Sequence, residues 1–381
     1  REVTGLMADS GARFAAWDGV LDLPALDGVR VLGPEEIAAL KTAPPGGYAD
    51  TAADDPAYLI YTSGTSGKPK GVLHGQRAIW GRRPMYQGWY GITSADVVLH
   101  TGAFNWTYTL GTGLCDPFAN AATSIVYTGH RDPEVWGWLI RQHHATILAS
   151  VPGIYRQLLR TRFNSGGSLR HGLSAGEALA LPILDHWRER TGLNLYEALG
   201  MSEISTYISS SPSVPIRRGS PGKPQAGRCV RILDNGQIGV HRSDPGLLLR
   251  YWNEAPPEGD WFATGDTAEI DADGYVWYHG RADDLMNAGG FRVSPLEVEA
   301  VLLQHPQVLD AGVREFRVSD TASIIAAFIV PQPGQQPDEA AILGFAQERL
   351  AAYKCPRQIW FLPALPRTAN GKLVRKALDR P

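Results

Sequence analysis

Between residues 61 and 71 the chain reads Tyr-Thr-Ser-Gly-Thr-Ser-Gly-Lys-Pro-Lys-Gly. Glycines let a backbone approach an anion closely and accept positive φ, hydroxyls donate to phosphate oxygens, and lysines supply charge. Thr62, Ser63, Gly64, Thr65, Ser66, Gly67 and Lys70 are therefore candidate phosphate ligands. The run is not a Walker loop: Gly67-Lys68 is followed by Pro69, and Thr62 stands where that motif needs its first glycine. Other chemistry is thinner. Cys115, Cys229 and Cys355 lie far apart with no C-x-x-C spacing, which argues against structural zinc and suits a reducing compartment. The histidines, His143-His144 among them, form no H-E-x-x-H pattern and read as surface or core residues.

The glycine-rich run needs a strand before it, and Tyr58-Leu59-Ile60-Tyr61 supplies one. The pattern predicts a helix after it, from His74 to about Gly88. Alternation then continues, with strands near Val97–Leu99, Thr123–Tyr127, Ala145–Ala149, Arg170–Leu173 and Asn194–Tyr196. Helical stretches from about Tyr108 and over Pro133–His143, Pro152–Leu159 and Pro182–Arg190 separate them. Such alternation predicts a layered α/β domain with a largely parallel sheet. From Ile208 the segments shorten between prolines and glycines, as in a small β-rich subdomain; Trp261-Phe262 and Thr267–Ile270 read as separate pieces. A last α+β block follows, with helices at Pro295–Gln304 and Pro337–Ala352. The expected division is 1–207 for the α/β portion, 208–282 for the β-rich subdomain and 283–381 for a small C-terminal domain.

The chain has 381 residues, 44% hydrophobic and 20% charged, with a formal charge of −3. That balance gives no basic footprint for nucleic acid. No run of about 18 apolar residues would span a membrane, and Arg1-Glu2-Val3 opens no signal peptide. A cytoplasmic protein is expected.

Read in order, four further segments accompany the loop: Gly172-Leu173-Ser174-Ala175-Gly176-Glu177, Gly200-Met201-Ser202-Glu203, Trp261-Phe262-Ala263-Thr264-Gly265-Asp266 and Gly280-Arg281-Ala282-Asp283-Asp284. Pro366-Arg367-Thr368-Ala369-Asn370-Gly371-Lys372 closes the set. Together they resemble the adenylate-forming superfamily, which includes acyl-CoA synthetases, peptide-synthetase adenylation domains and luciferases. The resemblance implies a truncated layered α/β N-terminal domain with a β-rich subdomain, and a mobile α+β C-terminal domain. About 100 further residues normally precede the loop in the family, and a missing layer would expose apolar surface and favour a homo-oligomer.

The resemblance also implies roles. Ser174, Ala175, Gly176 and Glu177 border the adenine. Ser202, in place of the usual threonine, sits near the α-phosphate, and Glu203 holds Mg²⁺, a hard ion that prefers oxygen. Leu199 replaces an aromatic that usually stacks on adenine. Asp266 accepts the ribose hydroxyls, Arg281 contacts the ribose, and Asp283 is the hinge. Gly289 and Gly290 line a coenzyme A tunnel. Lys372 bonds the acyl carboxylate and α-phosphate.

The implied reaction joins a carboxylic acid to the α-phosphate of ATP, expels pyrophosphate and then passes the acyl group to coenzyme A. The acyl-pocket aromatic is Phe104 or Trp106; the alignment leaves both open. Asn105 stands where peptide-synthetase domains carry an aspartate for the substrate amine, which disfavours an amino acid and leaves an aryl or medium-chain acid. Two alternatives stay open: loading of a carrier-protein phosphopantetheine, and a truncated nucleotide-binding remnant without turnover.

Overall fold

The computed structural model describes residues 2–20, 22–62, 69–104, 106–288, 291–319, 322–368 and 373–381. They fall into two compact units, residues 1–77 with 248–256, and residues 78–247 with 257–381.

In the first unit, α1 (Glu2–Ser10) precedes two short parallel strands, β1 (Phe14–Ala16) and β2 (Arg30–Leu32). Next, α2 (Pro34–Thr42) opens with proline and carries Glu35 and Glu36 in its first turn and Lys41 in its last, as the helix dipole favours. β3 (Pro56–Thr62) and β4 (Lys70–Gly75) pair antiparallel, from Pro56↔Gly75 to Thr62↔Lys70. The two-residue strand Arg250–Tyr251 adds to the free edge of β4. Here the structure corrects the helix expected from His74. Residues 70–75 are a strand, because Val72 and Leu73 bury their side chains in a ladder with the apolar β3.

After β4 the chain breaks into single turns: Gln76–Ala78, Trp80–Arg82, Arg83–Met85 and Tyr86–Tyr90. Pro84 lacks an N–H, and Gly91 closes the stretch at φ 57°. Within the second unit, Gly81 lies on the backbone of Gly246; a Cβ there would stand 2.1 Å from the Gly246 nitrogen.

The second unit is built on a seven-stranded sheet. Its parallel part comprises β5 (Val97–His100), β6 (Thr123–Ile125), β7 (Ile147–Ser150), β8 (His171–Ala175) and β9 (Asn194–Met201). β10 (Ser205–Ser209) and β11 (Lys223–Pro224) finish it antiparallel. Helix α3 (Pro133–His143) carries the chain from β6 past β5 to β7, and α4 (Pro152–Leu158) and α5 (Leu181–Thr191) join neighbouring parallel strands. For α3 the cause is local: Asp132 caps it by accepting from the Glu134 amide, Pro133 starts it, and His144 ends it in the left-handed region. Its Trp136, Leu139 and Ile140 pack with Leu99, Leu148, Tyr155 and Trp187 in one core. β7 and β8 are buried along their whole length, as strands covered on both faces must be.

Beyond the sheet, β12 (Val230–Ile232), β13 (Gln237–His241), β14 (Trp261–Ile270) and β15 (Val276–Arg281) form a four-stranded antiparallel sheet. The two pieces expected at 261–270 are one strand, because the ladder to β13 spans both, from Trp261↔His241 to Thr267↔Gln237, with only a register shift. The last block has the hairpin β16 (Met286–Ala288) and β17 (Phe291–Val293), then α6 (Pro295–Leu302). A sheet of β18 (Val308–Ser319), β19 (Ala322–Pro331) and β20 (Gln358–Phe361) comes next. α7 (Glu339–Gln347) is shorter than expected, because Pro337 and Asp338 precede it and Asp338 caps it on the Ala341 amide. α6 and α7 pack through Val298, Leu302, Ile342 and Ala346 on Val313, Ala327 and Ile329.

Ion pairs lie inside the core of this unit. Arg82 donates to both oxygens of Asp116 at 2.8 and 2.6 Å and to the Ser205 hydroxyl, with side chains 7% and 1% exposed. Tyr90 also donates to Asp116 at 2.7 Å. Removing one partner leaves a buried charge uncompensated, at about 3–5 kcal/mol. Asp116→Ala should therefore lower the unfolding midpoint in urea by that order, whereas Arg30→Ala, which breaks an exposed pair with Glu36, should leave it within about 0.5 kcal/mol. Glu197 on β9 supplies a second test. Burial raises its carboxyl pKa to about 7, despite the Leu179 amide donating to it at 2.8 Å. The folded state then holds this proton more tightly than the unfolded chain. Its contribution is full below about pH 4.5 and is lost as pH rises through about 7. Glu197→Gln should remove about 1–3 kcal/mol of that loss, seen as a smaller drop in unfolding midpoint between pH 5 and 8.

Candidate active site

In parallel sheets, polar chemistry collects at the C-terminal ends of the strands. β8 ends in Ser174 and Ala175, both buried, and the chain then turns at Gly176 with φ 99°. The Ser174 hydroxyl has no hydrogen-bond partner among the described residues. A Cβ on Gly176 would stand 2.9 Å from the ring of Trp106, so the indole lies directly over this turn. Trp106 also packs edge-on against Tyr108, whose hydroxyl donates to the Ser150 carbonyl. Phe104 points elsewhere, toward Gly113, 3.7 Å from where a Cβ would lie. The two aromatics thus part, and Trp106 is the one brought to the 174–177 loop.

β9 ends in the tight turn that holds Ser202 and Glu203 before β10. Gly200 is needed there, since a Cβ would meet the Ser205 carbonyl at 2.7 Å. Glu203 is buried. Leu199, half-buried, pairs across the ladder with Ile208.

Asp266 is buried on β14 beside β15. Tyr278 donates to its carboxylate at 3.1 Å, and the Arg281 guanidinium stands 3.8 Å away. Arg281 also donates to the Thr264 carbonyl at 3.0 Å and to Asp283 at 3.4 Å. Gly265 adopts φ 79°, and any Cβ would strike that guanidinium at 2.8 Å. Burial, reinforced by the Asp266 charge, holds the Tyr278 hydroxyl far above its ordinary pKa and keeps it a donor. Tyr207 is raised by the same cause, with the charges of both Asp266 and Glu203 acting on it. These two carboxylates therefore share a neighbourhood around Tyr207.

Glu177 meets a residue from the other end of the chain. Arg367 donates to its carboxylate at 3.1 Å and to Asp310 at 2.8 Å, and Arg156 lies 3.3 Å from Asp310. Burial raises the Glu177 pKa, and the Arg367 charge opposes it. In the first unit, the Thr62 hydroxyl reaches the Lys70 carbonyl at 3.5 Å. The Lys70 ammonium pairs with Glu254 at 3.2 Å, over the Tyr251 ring. Ser63, Gly64, Thr65, Ser66, Gly67, Asn105, Gly289, Gly290 and Lys372 lie outside the described residues.

Sequence reasoning passed over Tyr278, Tyr207, Asp310 and Arg156. Tyr278 carried a usable signal, three residues before Arg281. The others join the site through long-range packing. Among the described residues no three metal-ligating side chains cluster, and no helix is long and apolar enough to cross a membrane.

The AMP-binding enzyme family model matches residues 15–249, and the AMP-binding enzyme C-terminal domain matches residues 297–372. The chain is 31% identical to an uncharacterized acyl-CoA ligase, YtcI, of Bacillus subtilis (strain 168), over 87% of this chain and 67% of that protein. It is 31% identical to a benzoate–CoA ligase of Thauera aromatica, over 97% of this chain and 77% of that one. It spans 60% of the length of the acetyl-coenzyme A synthetase of Bacillus subtilis (strain 168), to which it is 32% identical. Among solved structures it superposes on the anthranilate CoA ligase AuaEII in complex with anthranoyl-AMP. There the TM-score is 0.87 and the identity 29%, over 98% of this chain and 79% of that one. On the Bacillus subtilis O-succinylbenzoate coenzyme A synthetase with ATP and magnesium, the TM-score is 0.85 and the identity 26%, over 99% and 81%. The chain belongs to the AMP-binding, adenylate-forming enzymes, and within them to the acyl-CoA ligase branch.

Proposed function

We propose that the chain activates a carboxylic acid with ATP as an acyl-adenylate and passes the acyl group to coenzyme A. The observation that carries this is the Asp266–Tyr278–Arg281 group: a buried carboxylate that accepts from Tyr278, with a cation next to it and the Glu203 charge acting on the same Tyr207.

The acid is already ionised at pH 7 and needs no general base. Its oxygen attacks the α-phosphorus of ATP, the bond to the β-phosphate breaks, and pyrophosphate leaves. Positioning and charge neutralisation supply most of the catalysis. Asp266 accepts the vicinal ribose hydroxyls, as an ionised acceptor does well, and Arg281 holds the same sugar. Ser174, Ala175, Gly176 and Glu177 border the base. Thr62 to Gly67 and Lys70 take the phosphates, so Lys70 exchanges Glu254 for them. Ser202 and Lys372 bind at the α-phosphate. Glu203 fits Mg²⁺, because that ion prefers oxygen ligands and takes one or two protein carboxylates. When bound, Mg²⁺ neutralises phosphate charge. In the second step the coenzyme A thiolate attacks the acyl carbon, and AMP departs with the bonding pair. We assign 283–381 as the body that turns at Asp283 between the steps and brings the Gly289–Gly290 face to the thiol. Three free cysteines suit a cytoplasmic setting.

The acid is aryl or medium-chain, with Trp106 forming a wall of its pocket over Gly176. A panel of aromatic, medium-chain and amino acids with ATP, Mg²⁺ and coenzyme A, read by mass detection of the thioester, tests the whole reading. Thioester from at least one aryl or medium-chain acid is expected. Neither thioester nor acid-dependent pyrophosphate exchange with any acid would sink it. Asp266→Ala should raise KM for ATP roughly 10- to 100-fold, the worth of a charged hydrogen bond, with a smaller effect on KM for the acid. Trp106→Ala should shift the kcat/KM ratio between benzoate and a longer alkyl acid by roughly tenfold or more toward the longer one.

A further inference from the structure

The charge cluster at Glu177 joins parts of the chain that share no element. Arg156 on α4 and Glu177 after β8 come from the layered sheet; Asp310 on β18 and Arg367 come from the last block. The four alternate in sign, Arg156–Asp310–Arg367–Glu177, with the Arg367 guanidinium split between two carboxylates.

Arg367 also stands at the base of a hairpin. It bridges to Leu373, and the Val374 amide donates to the Pro366 carbonyl at 2.9 Å. Residues 368–372, with Lys372 as the last, are the connection between these two sides. The other side is tied as well: Arg375 donates to both Glu299 oxygens at 2.9 and 2.7 Å and lies 3.6 Å from Asp284, next to the proposed hinge. Arg375 therefore holds the hairpin within its own block, whereas Arg367 ties it to the loop that borders the nucleotide.

We propose that Arg367 is a positioning residue: its contact with Glu177, backed by Asp310 within its own block, seats the Arg367–Leu373 strand pair, next to Lys372 in sequence, on the nucleotide loop for adenylate formation, and the Arg367–Glu177 contact parts before thioester formation. This rests on the proposed function. The side chains of Arg367 and Glu177 keep 25% and 19% of their surface in water, so neither charge is stranded when they separate. The Arg228–Asp244 pair, at 0% and 1%, could not open without leaving charges uncompensated in the core.

The test uses the full chain with Arg367→Gln, with Arg367→Lys and Asp310→Asn as companions. Hydrogen exchange without substrates comes first. Amides of 176–180 and 373–378 should exchange roughly fivefold faster in Arg367→Gln, while those of α3 stay as in the parent. The half-reactions follow. Acid-dependent pyrophosphate exchange should fall at least about tenfold in kcat, with KM for ATP held within about twofold. Thioester formation from supplied acyl-adenylate and coenzyme A should stay within about twofold, and Arg367→Lys should recover part of the exchange rate, since it keeps the charge but not the fork. Equal loss in both half-reactions, or loss in neither, overturns the proposal. A parent chain inactive in both sinks the proposed function instead, and unchanged hydrogen exchange in Arg367→Gln then overturns the seat by itself.

Discussion

A parallel sheet covered on both faces leaves polar groups nowhere to go but the strand ends. β7 and β8 are buried at every position, so the first polar side chains able to serve a ligand are Ser174 and those of the following loop. The same constraint demands unusual backbone. The chain must leave β8 sharply enough to pass under Trp106, and Gly176 does so at φ 99° in a space an indole already fills. Alanine there would carry both a conformational and a steric cost. The position of the nucleotide loop thus follows from the packing of the sheet.

The antiparallel β14–β15 pair solves a related problem for Asp266. A buried carboxylate is tolerated only with donors close by. Tyr278 and Arg281 come from the neighbouring strand, so the ladder itself holds their distances. Gly265 and Gly280, at φ 79° and 112°, lie on the two strands where Arg281 folds back on Thr264.

Much of this could be read from residue order. The apolar runs at 97–99 and 147–149 mark buried strands because nothing polar interrupts them. Proline starts and flanking turns mark α3, α4 and α5. The failure at 74–88 has a definite cause: whether Gly71-Val72-Leu73-His74 becomes strand depends on β3, across a loop whose path the residues do not state. The site divides the same way. Asp266 and Arg281 were marked by their Gly-containing turns, and the structure brings them to 3.8 Å. Arg367 and Glu177 are 190 positions apart, and no local period carries that information.

The ion pairs divide by exposure in a manner that bears on motion. Arg82–Asp116 and Arg228–Asp244 are closed to water and join segments within one packed body. Opening either would strand charges in the core, so they act as fixed joints. The cluster of Arg156, Asp310, Arg367 and Glu177 spans two blocks of the chain, and each member keeps 13% to 26% of its side chain in solvent. Charges that remain in reach of water exchange protein partners for hydration at modest cost. Their partial exposure leaves the joint able to close with defined geometry, through the two-armed Arg367 guanidinium, and able to open again.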